Sequence, residues 1–324
     1  MMLIKPENHR HSGEECNDDS RIKILDPSIL FRINNRVWCQ NDGKQGQDNG
    51  QKHNLLKQFF NQYRRYFSLY KELLRFSFQN FIVYRAHFIN SVFATVGWGA
   101  FQFIWIELLT FRTRSAFGWS KNELVVLAIS YTIMMGILHF FFSHNMSRLS
   151  RIIDKGELDF LLLKPVDSQF LVSFYIQNYP NLVRVILGIT LLFVYLHITH
   201  LTFTLIGWIG FICFIFFGVT LLYSLWMFYC TFLIWFPRLT NIIDFLFTID
   251  GMARYPSEMI KKLNPIILFF ILPFTLSVAT PVKVLVRGSF DGDIIYLIII
   301  SVGMSVVSRL FWLYALRHYT SASS

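Results

Sequence analysis

The stretch LVVLAISYTIMMGILHFFFS, residues 124–143, contains no Asp, Glu, Lys or Arg. A helix needs about 20 apolar residues to cross a hydrocarbon core, so this run reads as a membrane span. A few residues on, 151–168 read RIIDKGELDFLLLKPVDS: a charged helical segment, a glycine, then an apolar return ending in Lys-Pro. A second charge-poor run follows at 179–199. Two spans joined by a charged helical connection set the frame for the rest of the chain.

Composition agrees with that frame. Hydrophobic residues make up 54% of the 324 residues, charged residues 15%, and there are 35 phenylalanines. A soluble domain carries about 25% charge, so the fold class is an all-α polytopic membrane protein. The net charge of +10 comes from bases beside apolar spans. The positive-inside rule accounts for such bases, and no nucleic-acid partner is expected. Cys16 and Cys39 lie in polar sequence and Cys213 and Cys230 in an apolar run, with no CxxC or Cys/His spacing. Neither a disulfide framework nor a zinc site is indicated.

Residues 1–54 are polar, balanced in charge and without period, the composition of a disordered cytoplasmic tail. The membrane domain occupies 55–324. Its first part, 55–80, places Leu56, Phe59, Phe60, Tyr63, Tyr66 and Phe67 at helical spacing. Lys57, Arg64, Arg65, Lys71, Arg75 and the following Arg85 oppose only Glu72. An amphipathic basic helix on the inner membrane surface fits this pattern. Six spans are expected at about 88–110, 124–143, 179–199, 203–232, 238–253 and 293–316, with both termini cytoplasmic. Arg184, near the start of the third, is expected to reach back to the interface. The charge-free run 201–236 would be roughly 54 Å long as one helix, so it should tilt, or bend and project. Between the last two spans, Arg254, Tyr255 and Pro256 lead into a segment with Pro265, Pro273 and Pro281. Proline costs an interior helix about 3 kcal/mol, so 256–288 is expected to be broken into elements that re-enter the outer half of the membrane. Three acids lie in apolar sequence. Glu107 and Asp250 are placed near span ends, leaving Asp244 as the one deep polar candidate, either a contact within the bundle or at a subunit interface, or a proton carrier.

Four segments, IIDKGELDFLLLKPV, MARYPSEMI, LPFTLSVATPVKVLVRGS and ALRHYTSASS, occur in an order and spacing that resemble bacterial permease subunits of type-2 ATP-binding-cassette (ABC) exporters. The resemblance covers about 55–324. It implies that the connection 145–168 is a cytoplasmic coupling element seated in a groove of a separate ATPase. Residues 147–155 would be a surface helix with Arg148, Arg151 and Lys155 along one cationic edge. Gly156 would end that helix, Leu158 and 161–163, Leu162 among them, would anchor the return, and Pro165 would fix the exit. Asp154, Glu157 and Asp159 would be polar contacts for the ATPase. The resemblance further implies a second permease, identical or related, residence in the bacterial cytoplasmic membrane, and transport outward.

No nucleotide site is expected in this chain. A phosphate-binding loop needs G-x-x-x-x-G-K-[ST], and the nearest pair, Gly43-Lys44, is followed by Gln45. ATP and Mg would therefore reside in the partner, and the chain itself is not expected to be an enzyme. The rival reading is a proton- or ion-coupled secondary transporter using an intramembrane acid.

Overall fold

The computed structural model describes residues 51–83, 85–110, 115–201, 203–239, 241–260, 265–288 and 292–319. Apart from 51–54 the expected tail lies outside these residues, as do the side chains of Leu56, Lys57, Phe59, Phe60, Tyr63, Arg85 and Glu107. Helix α1, Gln51–Val83, begins ahead of the expected interfacial helix, and α2, Arg85–Thr110, follows it. Along α1, Leu69 and Leu73 are buried while Arg64, Lys71 and Arg75 are exposed, an apolar stripe opposite a basic face. A two-residue hairpin, β1 Ser115–Ala116 and β2 Trp119–Ser120, turns through Phe117 (φ 56°) and Gly118 (φ 80°). Two successive left-handed residues are what a tight hairpin of this twist requires.

Helix α3, Lys121–Leu138, starts from a capping box in which Ser120 and Glu123 satisfy each other's backbone amides. It passes through a π-helical turn, His139–Ser143, directly into α4, His144–Asp154. The whole rod, Lys121–Asp154, is 34 residues long, and 83% of its apolar window is buried, against 17% for Tyr179–Thr199. It is therefore the central post of the bundle. At about 1.5 Å per residue it is some 20 Å longer than a hydrocarbon core, so one end projects. The expected 147–155 surface helix is thus the extension of a span.

Short helices α5, Leu158–Leu162, and α6, Ser168–Phe174, lead to α7, Tyr179–Thr199, and α8, Leu205–Thr231. The charge-free run therefore resolves into a 27-residue helix with a 3-10 turn at Phe232–Ile234 and a turn at 235–238. Next come α9, Asn241–Asp250, a 3-10 turn Gly251–Arg254, α10, Ser257–Ile260, α11, Pro265–Arg287, and α12, Gly292–Arg317. Among the described residues four helices are long and apolar enough to cross a membrane: Lys121–Asp154, Tyr179–Thr199, Leu205–Ile234 and Gly292–Arg317; a shorter apolar stretch covers Val92–Ile106.

Two corrections to the sequence expectations follow. The fifth span expected at 238–253 is a ten-residue helix, α9, too short to cross alone. The segment expected to break at its prolines is one helix through Pro273 and Pro281, with Pro265 at its first position. Packing offsets the disruption, since 274–285 are buried throughout; the hydroxyls of Thr275 and Ser277 bond the carbonyls of Leu272 (3.1 Å) and Phe274 (2.6 Å), not the two that the prolines free.

Glycines set the closest crossings. A Cβ on Gly136 would lie 2.7 Å from Val185 Cγ2, and one on Gly188 2.7 Å from Ile133 Cγ1, so α3 and α7 approach through paired small residues. Gly218 of α8 faces the Ser277 carbonyl, the oxygen that Pro281 leaves without its helical amide. Tyr195 of α7 donates to Asn122 at the start of α3 (2.9 Å), which makes these two antiparallel. Ser301 and Ser305 of α12 meet Phe217 and Ser224 of α8 (both 2.9 Å), which makes those two parallel. The bundle therefore has a base, carrying α4–α6, and a crown, carrying the β-hairpin, α10 and the α11–α12 junction.

Candidate coupling surface at the base

Helix α4 ends in a full left-handed closure. Gly156 has φ 66°, its amide donates to the Ile153 carbonyl (3.1 Å), and the Glu157 amide donates to that of Ile152 (2.9 Å). This pair of bonds satisfies carbonyls that a helix end otherwise leaves open, and it turns the chain back at once. Leu158 and Leu161 are buried beneath the turn. Leu162 and Asp159 are partly covered, and Pro165 is exposed. Phe160 and Leu163 project instead, 70% and 80% exposed. Helical geometry divides the leucine run, because 158 and 161 share a face that 160 and 163 do not.

The expected cationic edge is also divided. The Arg148 guanidinium lies 3.8 Å from the centre of the Tyr175 ring and is held there. Arg151, Asp154, Lys155 and Glu157 are exposed and make no ion pair among the described residues. Burial, followed by the charge of Arg148, lowers the pKa of Lys164 on the return strand.

What holds this surface in place was not singled out from sequence. Asn145, 2% exposed, shares the two N–H groups of its Nδ2 among the carbonyls of Phe141 (2.9 Å), Ser173 (2.9 Å) and Ile176 (2.7 Å). Its Oδ1 accepts from the Ile176 amide at 3.0 Å. One side chain thus joins the π-helical turn, α6 and the entry to α7. Asp167 caps α6 by accepting from the Phe170 amide (3.0 Å) and takes the Arg309 guanidinium of α12 in a fork, with Nη1 at 3.0 Å from Oδ1. Burial alone would raise the Asp167 carboxyl, but Arg309 and the Phe170 and Gln169 amides outweigh it and lower its pKa. Arg309 also donates to Gln169 (2.8 Å), which donates to Tyr223 of α8 (3.1 Å). Tyr66 of α1 accepts from the Asp167 amide at 3.2 Å. The connection is therefore fastened to α1, α8 and α12. Arg309, a charge inside an apolar run, and Asp167, just ahead of a helical pattern, were the legible signals for this link.

Residues 96–323 match the family model described as ABC-2 family transporter protein. The chain belongs to that family. It is an ABC-2-type permease subunit, a multi-pass membrane protein, and its base is the end bearing the segment expected to couple to an ATPase. No curated protein and no solved structure matched the chain.

The permease carries a second polar group inside the bundle. Asp244, the deep acid expected from sequence, stands on the exposed face of α9. The buried acid is Asp250, 1% exposed, which accepts from the Trp226 indole (3.1 and 3.2 Å) and lies 3.6 Å from His139 Nε2 in the π-helical turn. The correction has a geometric cause: α9 is short and ends at Asp250, which is drawn in beside α8 and α3. Arg184 is tucked beside Tyr131, 5.8 Å from its ring centre. Arg254 lies 5.6 to 5.8 Å from the rings of Trp98, Tyr131 and Tyr255, while Pro256 is buried next to it.

The crown is tied differently. Lys283, 7% exposed, pairs with Glu258 (2.6 Å) and Asp293 (2.7 Å), and Glu258 accepts from the Trp119 indole at 2.7 Å. Arg287 bonds Glu123 (2.7 Å) and the Gly118 carbonyl (3.1 Å). Burial raises the Glu258 carboxyl, but the bonds from Lys283 and Trp119 prevail and bring its pKa down to about 2.

Proposed function

We propose that this chain is the membrane-spanning subunit of an ABC exporter, working as a dimer with an identical or related permease and driven by two separate ATPases. The base faces the cytoplasm of a bacterial cell, with both termini on that side, and each ATPase docks over α4 and α5. ATP and Mg are held by the ATPases. The observation that carries this reading is the Gly156 closure, which presents unpaired charges at 151–157 beside the projecting Phe160 and Leu163. An apolar anchor with a charged rim is the usual anatomy of a protein–protein contact.

The Lys121–Asp154 rod suggests how docking acts on the pathway. Its far end bears the docking residues and it is the most buried of the four long apolar helices. ATPase closure at the base therefore bears directly on the packing of α3 against α7, α8 and α11.

The test is reconstitution of the permease in liposomes with and without its cognate ABC ATPase, assayed for outward transport on adding ATP or a proton gradient. ATP-dependent transport that requires the ATPase is expected. Transport by the permease alone on a gradient, abolished by Asp250→Asn, would establish the carrier reading instead.

A further inference from the structure

A cavity of about 160 Å³ opens between α2, the first turns of α3 and the chain entering α10. Phe101, Trp105, Leu124 and Ala128 form its apolar walls, and Arg254 and Tyr255 close the other side. A dry cavity of this size accepts a benzene-sized group or a short length of acyl chain. Arg254 gives this otherwise greasy pocket a positive charge.

That charge has no anion of its own. The Arg254 Nε–H donates to the Gly251 carbonyl (2.6 Å), and no carboxylate pairs with the guanidinium among the described residues. The faces of Trp98, Tyr131 and Tyr255 attract the cation but leave the donors of both Nη groups unused. Nor does the neighbourhood balance it. Arg184 and Arg254 both lie beside Tyr131, and the nearby buried acid, Asp250, is already engaged by Trp226 and faces His139. Among the described residues these two guanidiniums have one carboxylate between them, so the described group carries an excess positive charge. An ionisable side chain inside a membrane ordinarily faces a partner or a pathway. Gly251 is part of the same arrangement: a Cβ there would lie 2.9 Å from Arg254 Nη2, so the glycine lets the guanidinium fold back toward the cavity.

We propose that this cavity binds an anionic amphiphile, an oxyanion carried on an apolar chain, with the oxyanion on the Arg254 Nη groups and the chain between Phe101, Trp105 and Ala128. A fork of N–H donors fits carboxylate or phosphate oxygens, and the excess charge supplies the complement. The site is far from the docking surface, and its occupancy does not depend on an ATPase.

The test uses the full chain in phosphatidylcholine nanodiscs, without ATPase, and a diazirine-bearing palmitate compared with its alcohol analogue. Adducts are mapped by peptide mass spectrometry. The acid should label 101–106 or 254–256 at about ten-fold lower concentration than the alcohol. Laurate and dodecyl phosphate as competitors then show which oxyanion is preferred. Arg254→Gln should remove the preference while leaving labelling by the alcohol unchanged, and Arg254→Lys should retain part of it. Gly251→Ala, which keeps the charge but displaces the guanidinium, should give an intermediate loss and serves if the Gln variant does not fold. Equal labelling by acid and alcohol, no labelling at the cavity, or a preference that survives Arg254→Gln would overturn the proposal. Because the assay contains no ATPase, failure of the transport reading leaves it standing, and the reverse also holds.

Discussion

The two ends of the bundle are built from different forces. At the crown, loops and helix ends are joined by charge: Lys283 between Glu258 and Asp293, and Arg287 on Glu123. At the base, the connection is held mainly by neutral groups, with Asn145 on four backbone atoms and Gly156 turning a helix end. Asp167–Arg309 is the charged exception, and it points inward to α12. The consequence is a division of labour. The crown uses its charges internally, whereas at the base Arg151, Asp154, Lys155 and Glu157 are exposed and make no ion pair among the described residues.

This contrast can be broken by substitution, and the largest effect is expected at Asn145. Asn145→Ala would leave buried carbonyls and an amide without partners, at about 1–3 kcal/mol for each group that water cannot reach. Loss of about 3 kcal/mol overall, read as a lowered melting temperature in detergent, should be the same at low and high salt. A loss that shrank with salt would mean that charge holds the base as well.

Gly156→Val comes next. A β-branched residue in the left-handed region costs about 1–2 kcal/mol, and relief of that strain would unwind the turn. Membrane insertion should survive while co-purification with the ATPase falls several-fold. Retention of full ATPase binding would show that the shape of the turn is irrelevant to docking.

At the crown, Glu258→Gln should cost roughly 1 kcal/mol or less, since partly exposed ion pairs are screened. The pH dependence has a definite sign. The folded pKa of Glu258 is depressed from 4.5 to about 2, so its contribution is complete above 4.5 and disappears as pH falls toward 2. Wild type should lose stability through that window more steeply than the Gln variant, as followed by thermal melts across an acid series. Equal slopes would remove Glu258 from the crown's account.

Arg151→Glu with Lys155→Glu should change stability least, within about 0.5 kcal/mol, because neither side chain has an ion-pair partner among the described residues. ATPase association should nevertheless slow and become less salt-dependent, since rim charges act on encounter. Unchanged association kinetics by surface plasmon resonance would show that these charges face only solvent.

Much of the bundle was legible as apolar run length, and the base as a glycine after a charged helix. The proline segment was misread because local cost was weighed without tertiary packing, which buries 274–285 along their whole length. The deep acid was misassigned for a related reason. Sequence places Asp250 at a helix end, and only packing against Trp226 and His139 reveals that this end is inside. Asn145 was missed because its partners at 173 and 176 are joined to it by the very turn it stabilises.

The most direct measurement of the central claim is site-specific photocrosslinking in intact cells, with a photoreactive amino acid at Lys155 on the base or at Arg287 on the crown. The expected result is an adduct between the Lys155 site and the ABC ATPase, and none from the Arg287 site. An ATPase adduct at the crown, or none at Lys155 in a complex that transports normally, would contradict the assignment of the base as the coupling surface.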